Sequence, residues 1–176
     1  MPTPTYVAIA KTVLSANQTT ITFSSIASTY TDIVLLISGR GTAAVNIADL
    51  AVKVNALTAN YTTTQMRGNS STASSFRDTS TSIWNLYSNI SGDSTTSNTF
   101  GSVEIYFPNY AGSTNKVASS TGVAENNSST AGQSAVNANA SLLSNTAAIS
   151  TITLTLSAGG DFASGSRFDL YGISSS

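Results

Sequence analysis

Short stretches in which apolar and polar residues alternate recur along the chain, separated by clusters of Gly, Asn, Asp and Ser. The clearest examples are residues 102–107, 151–156 and 167–171, each with its apolar residues at every second position. Alternation with a period of two is typical of a half-buried β-strand, because successive side chains of a strand point to opposite faces. Residues 33–37 are apolar throughout, which indicates a strand covered on both faces. These patterns predict strands joined by turns.

The composition favours the same fold class. The chain has 57 Ser or Thr residues and 15 Asn residues, and only 9% of its residues are charged. Ser and Asn compete poorly in helices, whereas the β-branched Thr suits a pleated surface. We therefore predict an all-β fold, a single-domain antiparallel β-sandwich that is jelly-roll-like and has about eight to ten strands. The domain spans residues 1–176, with short arms at 1–5 and 174–176.

Three segments are ambiguous. Residues 47–54 fit either a helical stripe or a strand, and the absence of a cap and of a Glu/Lys-rich face favours the strand. Residues 131–143 are rich in Ala and Asn and indicate neither element strongly. Residues 68–82 are the most linker-like part of the chain, although the nearby Phe76 and Trp84 indicate a packed loop.

The residue types exclude several classes of function. The chain has no His and no Cys, which removes His-dependent nucleophilic catalysis, thiolate chemistry and disulfides. Its seven cations are scattered and the net charge is −1, so we expect no binding to nucleic acid or to an anionic membrane surface. No apolar run approaches the ~20 residues that span a bilayer. We expect no catalytic residues, no cofactor and no resident metal.

Three weaker chemical interpretations are set against structural ones. Glu104 and Glu125 are the only glutamates and could form a glycosidase pair, but a solvated face or an intersubunit ion pair with Lys116 or an Arg is the simpler interpretation. The segments 91–94 and 159–161 could offer oxygen ligands to calcium, yet neither has the dense Asp/Asn pattern of an EF-hand loop. Residues 38–41 resemble a phosphate-binding loop only superficially and are interpreted as a tight turn.

Aromatic residues are the remaining candidates for recognition. Trp84, Tyr87 and Tyr110 could contact a glycan or a partner protein, since aromatic rings stack on sugars and are enriched at interfaces. Aromatic residues at strand positions are more often part of the core, and Trp84 in particular is expected to be buried.

The segment 98–116, which reads NTFGSVEIYFPNYAGSTNK, resembles a recurrent segment of small virion proteins of bacteriophages, frequent in phages of aquatic bacteria. Three further segments, 24–36, 144–154 and the ending FDLYGI at 168–173, are similar to the same family and occur in the same order. Residues 100–107 also read as a strand that Pro108 ends, and 116–123 as its hairpin partner, which would bring Glu104 near Lys116.

The resemblance implies a non-enzymatic structural protein of the phage particle, located on the virion surface. We expect a capsid decoration, knob or spike protein that assembles with itself, as a homotrimer, and with other structural proteins such as the major capsid protein. The alternative is a tail-fibre or baseplate-associated module that binds a host surface glycan. A carboxylate-dependent glycan hydrolase is a third hypothesis, from a different class.

Overall fold

The structure, a computed structural model, describes residues 5–69, 72–126, 134–157 and 159–174. It contains strands only in this part of the chain, which confirms the all-β prediction, and no segment of it is a helix suited to crossing a membrane. Twelve strands are present, more than the eight to ten expected. They are β1 (Tyr6–Val13), β2 (Ile21–Phe23), β3 (Asp32–Gly39), β4 (Ile47–Val54), β5 (Tyr61–Asn69), β6 (Thr72–Thr81), β7 (Trp84–Ser91), β8 (Gly101–Phe107), β9 (Lys116–Ala124), β10 (Ala135–Leu143), β11 (Ile152–Leu156) and β12 (Arg167–Ile173).

Two antiparallel sheets pack face to face. The large sheet has the order β1-β12-β3-β8-β9-β10-β5-β6, and the small sheet has the order β2-β11-β4-β7. Eight of these strands pair in a nested way, β1 with β12, β2 with β11, β3 with β8 and β4 with β7. This nesting is the connectivity of an eight-stranded jelly roll. The predicted sandwich and its jelly-roll-like character are thus confirmed.

The other four strands form an extension of the large sheet. The hairpin β5–β6 is inserted between β4 and β7, and the hairpin β9–β10 is inserted between β8 and β11. Strand β10 pairs with β9 on one side and with β5 on the other, so two distant insertions meet in one sheet. We call β9, β10, β5 and β6 the sheet extension.

The core lies between the jelly-roll strands and is built by the alternation seen in the sequence. Apolar side chains of β8, β11 and β12 point inward and are buried, whereas Ser102, Glu104 and Thr153 point outward. Strand β1 departs from the expected pattern. A bulge between Ala8 and Ala10 shifts its register, so Val13 points outward and is exposed.

The ambiguous segments are strands where the structure describes them. Residues 47–54 form β4, as favoured, and β10 accounts for 135–143 of the Ala/Asn-rich segment; residues 131–133 lie outside the described part of the chain. The linker-like interpretation of 68–82 is wrong, because most of it is β6. Strand β6 is a sheet edge that is exposed on both faces, so its sequence shows no apolar alternation.

Candidate assembly surface

Trp84 is a core residue and not a surface contact. Its side chain is fully buried, its indole N–H donates a hydrogen bond to the Leu142 carbonyl at 3.0 Å, and its ring meets Tyr61 edge to face at 5.5 Å between centroids. Its candidacy as a glycan or partner contact is therefore corrected, because no face of the indole reaches solvent. The residue instead ties β7 to the sheet extension.

Tyr110 is also buried, and its candidacy is corrected for the same reason. Its hydroxyl donates to the Ala27 carbonyl and lies 3.4 Å from the backbone N of Tyr30. The Asp32 carboxylate accepts hydrogen bonds from the Tyr106 hydroxyl and from the Asn109 N–H, each at 2.7 Å. These contacts join the segments 24–36 and 98–116, so Tyr110 holds two loops together.

Tyr87 is the one aromatic candidate that stays partly exposed. Its ring packs edge to face on Phe76 with centroids 5.3 Å apart, and its hydroxyl donates to Asp78 Oδ2 at 2.5 Å. Burial, followed by the bond to Asp78, raises the pKa of Tyr87. The surface aromatic pair is thus Tyr87 with Phe76, which joins β7 to the edge strand β6.

The hairpin of β8 and β9 is confirmed, but the expected contact between Glu104 and Lys116 is wrong. Glu104 lies opposite Thr121 and points outward, whereas Lys116 points inward and is buried. The Lys116 ammonium donates to the carbonyls of Gly112, Thr114 and Thr146 at 2.5, 2.6 and 3.2 Å. Burial lowers the pKa of Lys116. Lys116 therefore closes the turn that precedes β9 rather than pairing with a carboxylate.

The loop between β7 and β8 contains residues 91–94, one of the two segments considered for calcium, and the Arg40 guanidinium occupies it. Arg40 donates to the carbonyls of Asp93, Thr95, Thr96 and Thr99 and to the Thr95 hydroxyl, at 3.0 to 3.5 Å. These carbonyl oxygens are the groups a calcium ion would need, and they already have a cationic partner. The geometry makes this loop a structural element built around Arg40.

In the sheet extension, polar side chains face the interior and apolar side chains face outward, the reverse of the jelly-roll strands. On β10 the outward residues are Val136, Ala138, Ala140 and Leu142, whereas Asn137, Asn139 and Ser141 point inward and are buried. Val117 and Val123 of β9 and Met66 of β5 also point outward, with Val136 56% and Met66 70% exposed. We call this outward set the apolar strip; its members are Met66, Val117, Val123, Val136, Ala138, Ala140 and Leu142.

The inward polar residues of the extension face strand β7, which is the edge of the small sheet. Gln65 donates to the Tyr87 carbonyl at 3.1 Å and to Asn137 Oδ1 at 2.7 Å, and Asn139 donates to Ser120 Oγ at 3.0 Å. An edge strand leaves backbone groups unpaired, and amide side chains can satisfy them. Gln65 meets this requirement at one backbone group of β7, the Tyr87 carbonyl.

No unpaired backbone groups of an edge strand explain why the outward face of the extension is apolar. The jelly-roll half of the same outer face carries charged and aromatic residues, among them Glu104, Tyr106, Arg167 and Tyr171. The half formed by β9, β10 and β5 presents no charged side chain at its outward positions within the described residues. Two shallow grooves of about 530 and 470 Å³ lie on this half, at opposite ends of β9 and β10.

Comparison with protein-family models, curated protein sequences and solved structures gave no significant match to this chain.

Contiguous exposed apolar surface on a folded domain marks an interaction site. The apolar strip is therefore the candidate functional surface. A signal for it exists in the sequence, since Val136, Ala138, Ala140 and Leu142 alternate with polar residues, but the alternation does not say which set faces the core.

Proposed function

We propose that this chain is a non-enzymatic structural subunit of a bacteriophage particle, a decoration, knob or spike protein of the capsid surface. The apolar strip is the observation that carries the assembly part of the proposal. Burying apolar side chains such as Val136 and Met66 against a partner removes them from water, which stabilises association by roughly 25 cal/mol per Å². The phage location is supported by the resemblance of the segments 24–36, 98–116, 144–154 and 168–173.

The partners proposed are further copies of the chain, as a homotrimer, and other structural proteins such as the major capsid protein. Jelly-roll sandwiches recur in capsid proteins, which makes the fold compatible with such a role but does not assign it. A low charge and a surface rich in hydroxyls suit a subunit packed among neutral neighbours.

The proposal is tested by purifying particles of the phage that encodes the chain and reconstructing them. We expect the chain at hundreds of copies on the outer surface of the head. A dozen copies or fewer would move the protein to the tail, and its absence from particles would overturn the proposal.

The second candidate is a glycan-binding module of the tail fibre or baseplate, favoured by the exposed pair Tyr87 and Phe76 beside Asp78. An aromatic face next to a carboxylate is a common way to hold a sugar ring. Labelled protein would then bind host cells, and Phe76→Ala would reduce this binding more than Val13→Ala, an exposed apolar control on β1. Equal binding by both variants would remove this candidate.

A further inference from the structure

We propose that the apolar strip is an interface between two copies of this chain, related by a two-fold axis. The inference rests on the proposed function, since it names the partner of the assembly surface. It starts from the reversed polarity of the extension, which leaves seven apolar side chains outside while buried amides lie beneath them.

The strip has the same pattern in both directions along β9 and β10, which carry six of its seven residues. On β9 the outward residues are Val117, Ser119, Thr121 and Val123, so two small polar residues lie between two valines. On β10 they are Val136, Ala138, Ala140 and Leu142, so two alanines lie between two large aliphatic residues. The strands pair with Val117 opposite Leu142 and Val123 opposite Val136. On these two strands large side chains lie at both ends and small ones in the middle, whereas on β5 the large Met66 lies beside Ala138.

A surface with this pattern is complementary to a second copy of itself. A two-fold axis parallel to the sheet and across the strands places each end of one strip against the opposite end of the other. Val136 of one copy then meets Leu142 of the other, and Met66, which lies beside Ala138, occupies the space above the alanines at the centre. Two-fold contacts use the same patch on both subunits, and they are the commonest contacts in homo-oligomers. An unrelated partner would require no such pattern.

The dimensions agree with a pair of equal faces. At about 3.4 Å per residue and about 4.8 Å per strand, three nine-residue strands cover about 30 by 14 Å, or about 420 Å². Two such faces provide about 850 Å² of flat area, just short of the roughly 1,000 Å² that a specific interface exceeds, and the relief of exposed side chains such as Met66 adds to this area. The face lacks a charged outward side chain on its three described strands, and the charged residues Arg67 and Glu104 line the groove at one end of it.

Other occupants fit less well. A glycan site needs aromatic platforms and convergent polar groups, and among the described residues that line the two grooves the one aromatic side chain is Tyr106, in the smaller groove. Nucleic acid needs cations, which the strip does not offer. A two-fold contact either makes a dimer or joins two trimers back to back, so it is compatible with the proposed trimer.

The test uses the matched pair Ala138→Arg and Ala8→Arg. Both alanines are exposed on the outer face of the large sheet, but Ala138 lies at the centre of the strip and Ala8 lies on β1, in the charged half. We expect the unmodified protein to be a dimer or hexamer by light scattering. Burying an uncompensated arginine should weaken the dimer at least about 100-fold for Ala138→Arg, and Ala8→Arg should leave it unchanged.

A cross-linking experiment provides a second readout that does not depend on destabilising the contact. The chain has no cysteine, so Ala138→Cys and Ala8→Cys introduce single reactive sites. A short bismaleimide should join two copies through Cys at 138 and leave the variant at 8 monomeric on a denaturing gel. Circular dichroism of all four variants verifies that each is folded.

The inference is overturned if the unmodified protein is a monomer or trimer in solution, or if Ala138→Arg leaves a dimer or hexamer intact. This failure is distinct from a failure of the proposed function. A monomer found in many copies on the capsid would keep the function and reject the interface, whereas a dimer absent from particles would do the reverse.

Discussion

Two buried cations, Arg40 and Lys116, show how single residues fix long loops in this protein. The Lys116 ammonium is held by backbone carbonyls, and the Arg40 guanidinium by carbonyls and one hydroxyl, with Asp93 at its rim. A buried cation without such partners would be strongly destabilising, so each residue requires its loop and each loop requires its residue.

The first prediction separates these backbone bonds from the ion pair. Arg40→Met leaves the carbonyls of Thr95, Thr96 and Thr99 without their donor, and we expect it to lower the free energy of unfolding by about 3 kcal/mol. Asp93→Asn removes only an exposed ion pair, whose Asp93 side chain is 65% exposed, and should cost less than about 1 kcal/mol. Urea unfolding followed by tryptophan fluorescence measures both. Equal losses for the two variants would mean that the ion pair, and not the carbonyl cluster, holds the loop.

Neither role was predictable from the local sequence. The bonding partners of the Arg40 guanidinium lie 53 to 59 residues further along the chain, and no pattern near residues 38–41 points to them. Burial of Trp84 was predicted because a lone Trp on a strand usually belongs to the core, whereas nothing distinguished the buried Tyr110 from the exposed Tyr6.

At the scale of the strands, predictability depends on how sharply the two faces differ. Strands β8, β11 and β12 alternate aliphatic with hydroxyl or charged residues, and their inward faces were assigned correctly. Strand β10 alternates Ala with Asn and Ser. These residue types do not show by themselves which face is buried, because the strand that packs against them decides it. Strand β6 is an edge without a buried face, so its sequence indicated a linker.

The second prediction concerns the polar inner face of β5. Gln65→Met keeps the shape of the side chain and removes its two hydrogen bonds, to the Tyr87 carbonyl and to Asn137 Oδ1. Since it also removes the buried Gln65 Oε1, which has no hydrogen bond within the described structure, we expect a net loss of about 1 kcal/mol. Thr63→Val is the matched control two residues away, because the buried Thr63 hydroxyl makes no hydrogen bond within the described structure. This change should be neutral or stabilising by up to about 1 kcal/mol.

Chemical unfolding of both variants measures these changes in the free energy of unfolding. A loss of stability in Thr63→Val as large as that in Gln65→Met would show that the extension tolerates no substitution there. The interpretation of the inner face as a cap for the β7 edge would then be wrong.

At the scale of the whole molecule, the nested pairing and the sheet extension arise from contacts between distant segments. The turn spacing of the sequence predicted a sandwich, and the jelly-roll pairing agrees with it. The meeting of the β5–β6 and β9–β10 hairpins depends on Tyr61 to Gly68 pairing with Val136 to Leu143, which no local pattern encodes. Only Met66 joins the apolar strip through this pairing, since the other six residues lie on the β9–β10 hairpin. The alternation on β10 is visible in the sequence, but which of its two sets faces the core is not.

The third prediction concerns alkaline stability, because tyrosine hydroxyls tie together several parts of the fold. Burial raises the pKa of Tyr61, Tyr87 and Tyr110, and the bond to Asp32 raises that of Tyr106, each from the ordinary value of 10.0. Below pH 10 these hydroxyls are neutral in both the folded and unfolded chain, so their contribution to stability is fully present. Above pH 10 the unfolded chain ionises first, and stability must fall as the pH rises.

Lys116 acts in the opposite direction over a lower range, because its depressed pKa makes stability rise with pH until the unfolded lysine loses its proton near 10.5. Above that pH the loss of stability from the four tyrosines exceeds the effect of the one lysine, so we expect the melting temperature to fall steeply there. The absorbance of tyrosinate should increase at higher pH in the native protein than in urea. Tyr61→Phe should flatten the fall, since the change removes one hydroxyl buried between β5 and the end of β4. Coincident native and unfolded titration curves would show that these hydroxyls are not held in neutral form by the fold.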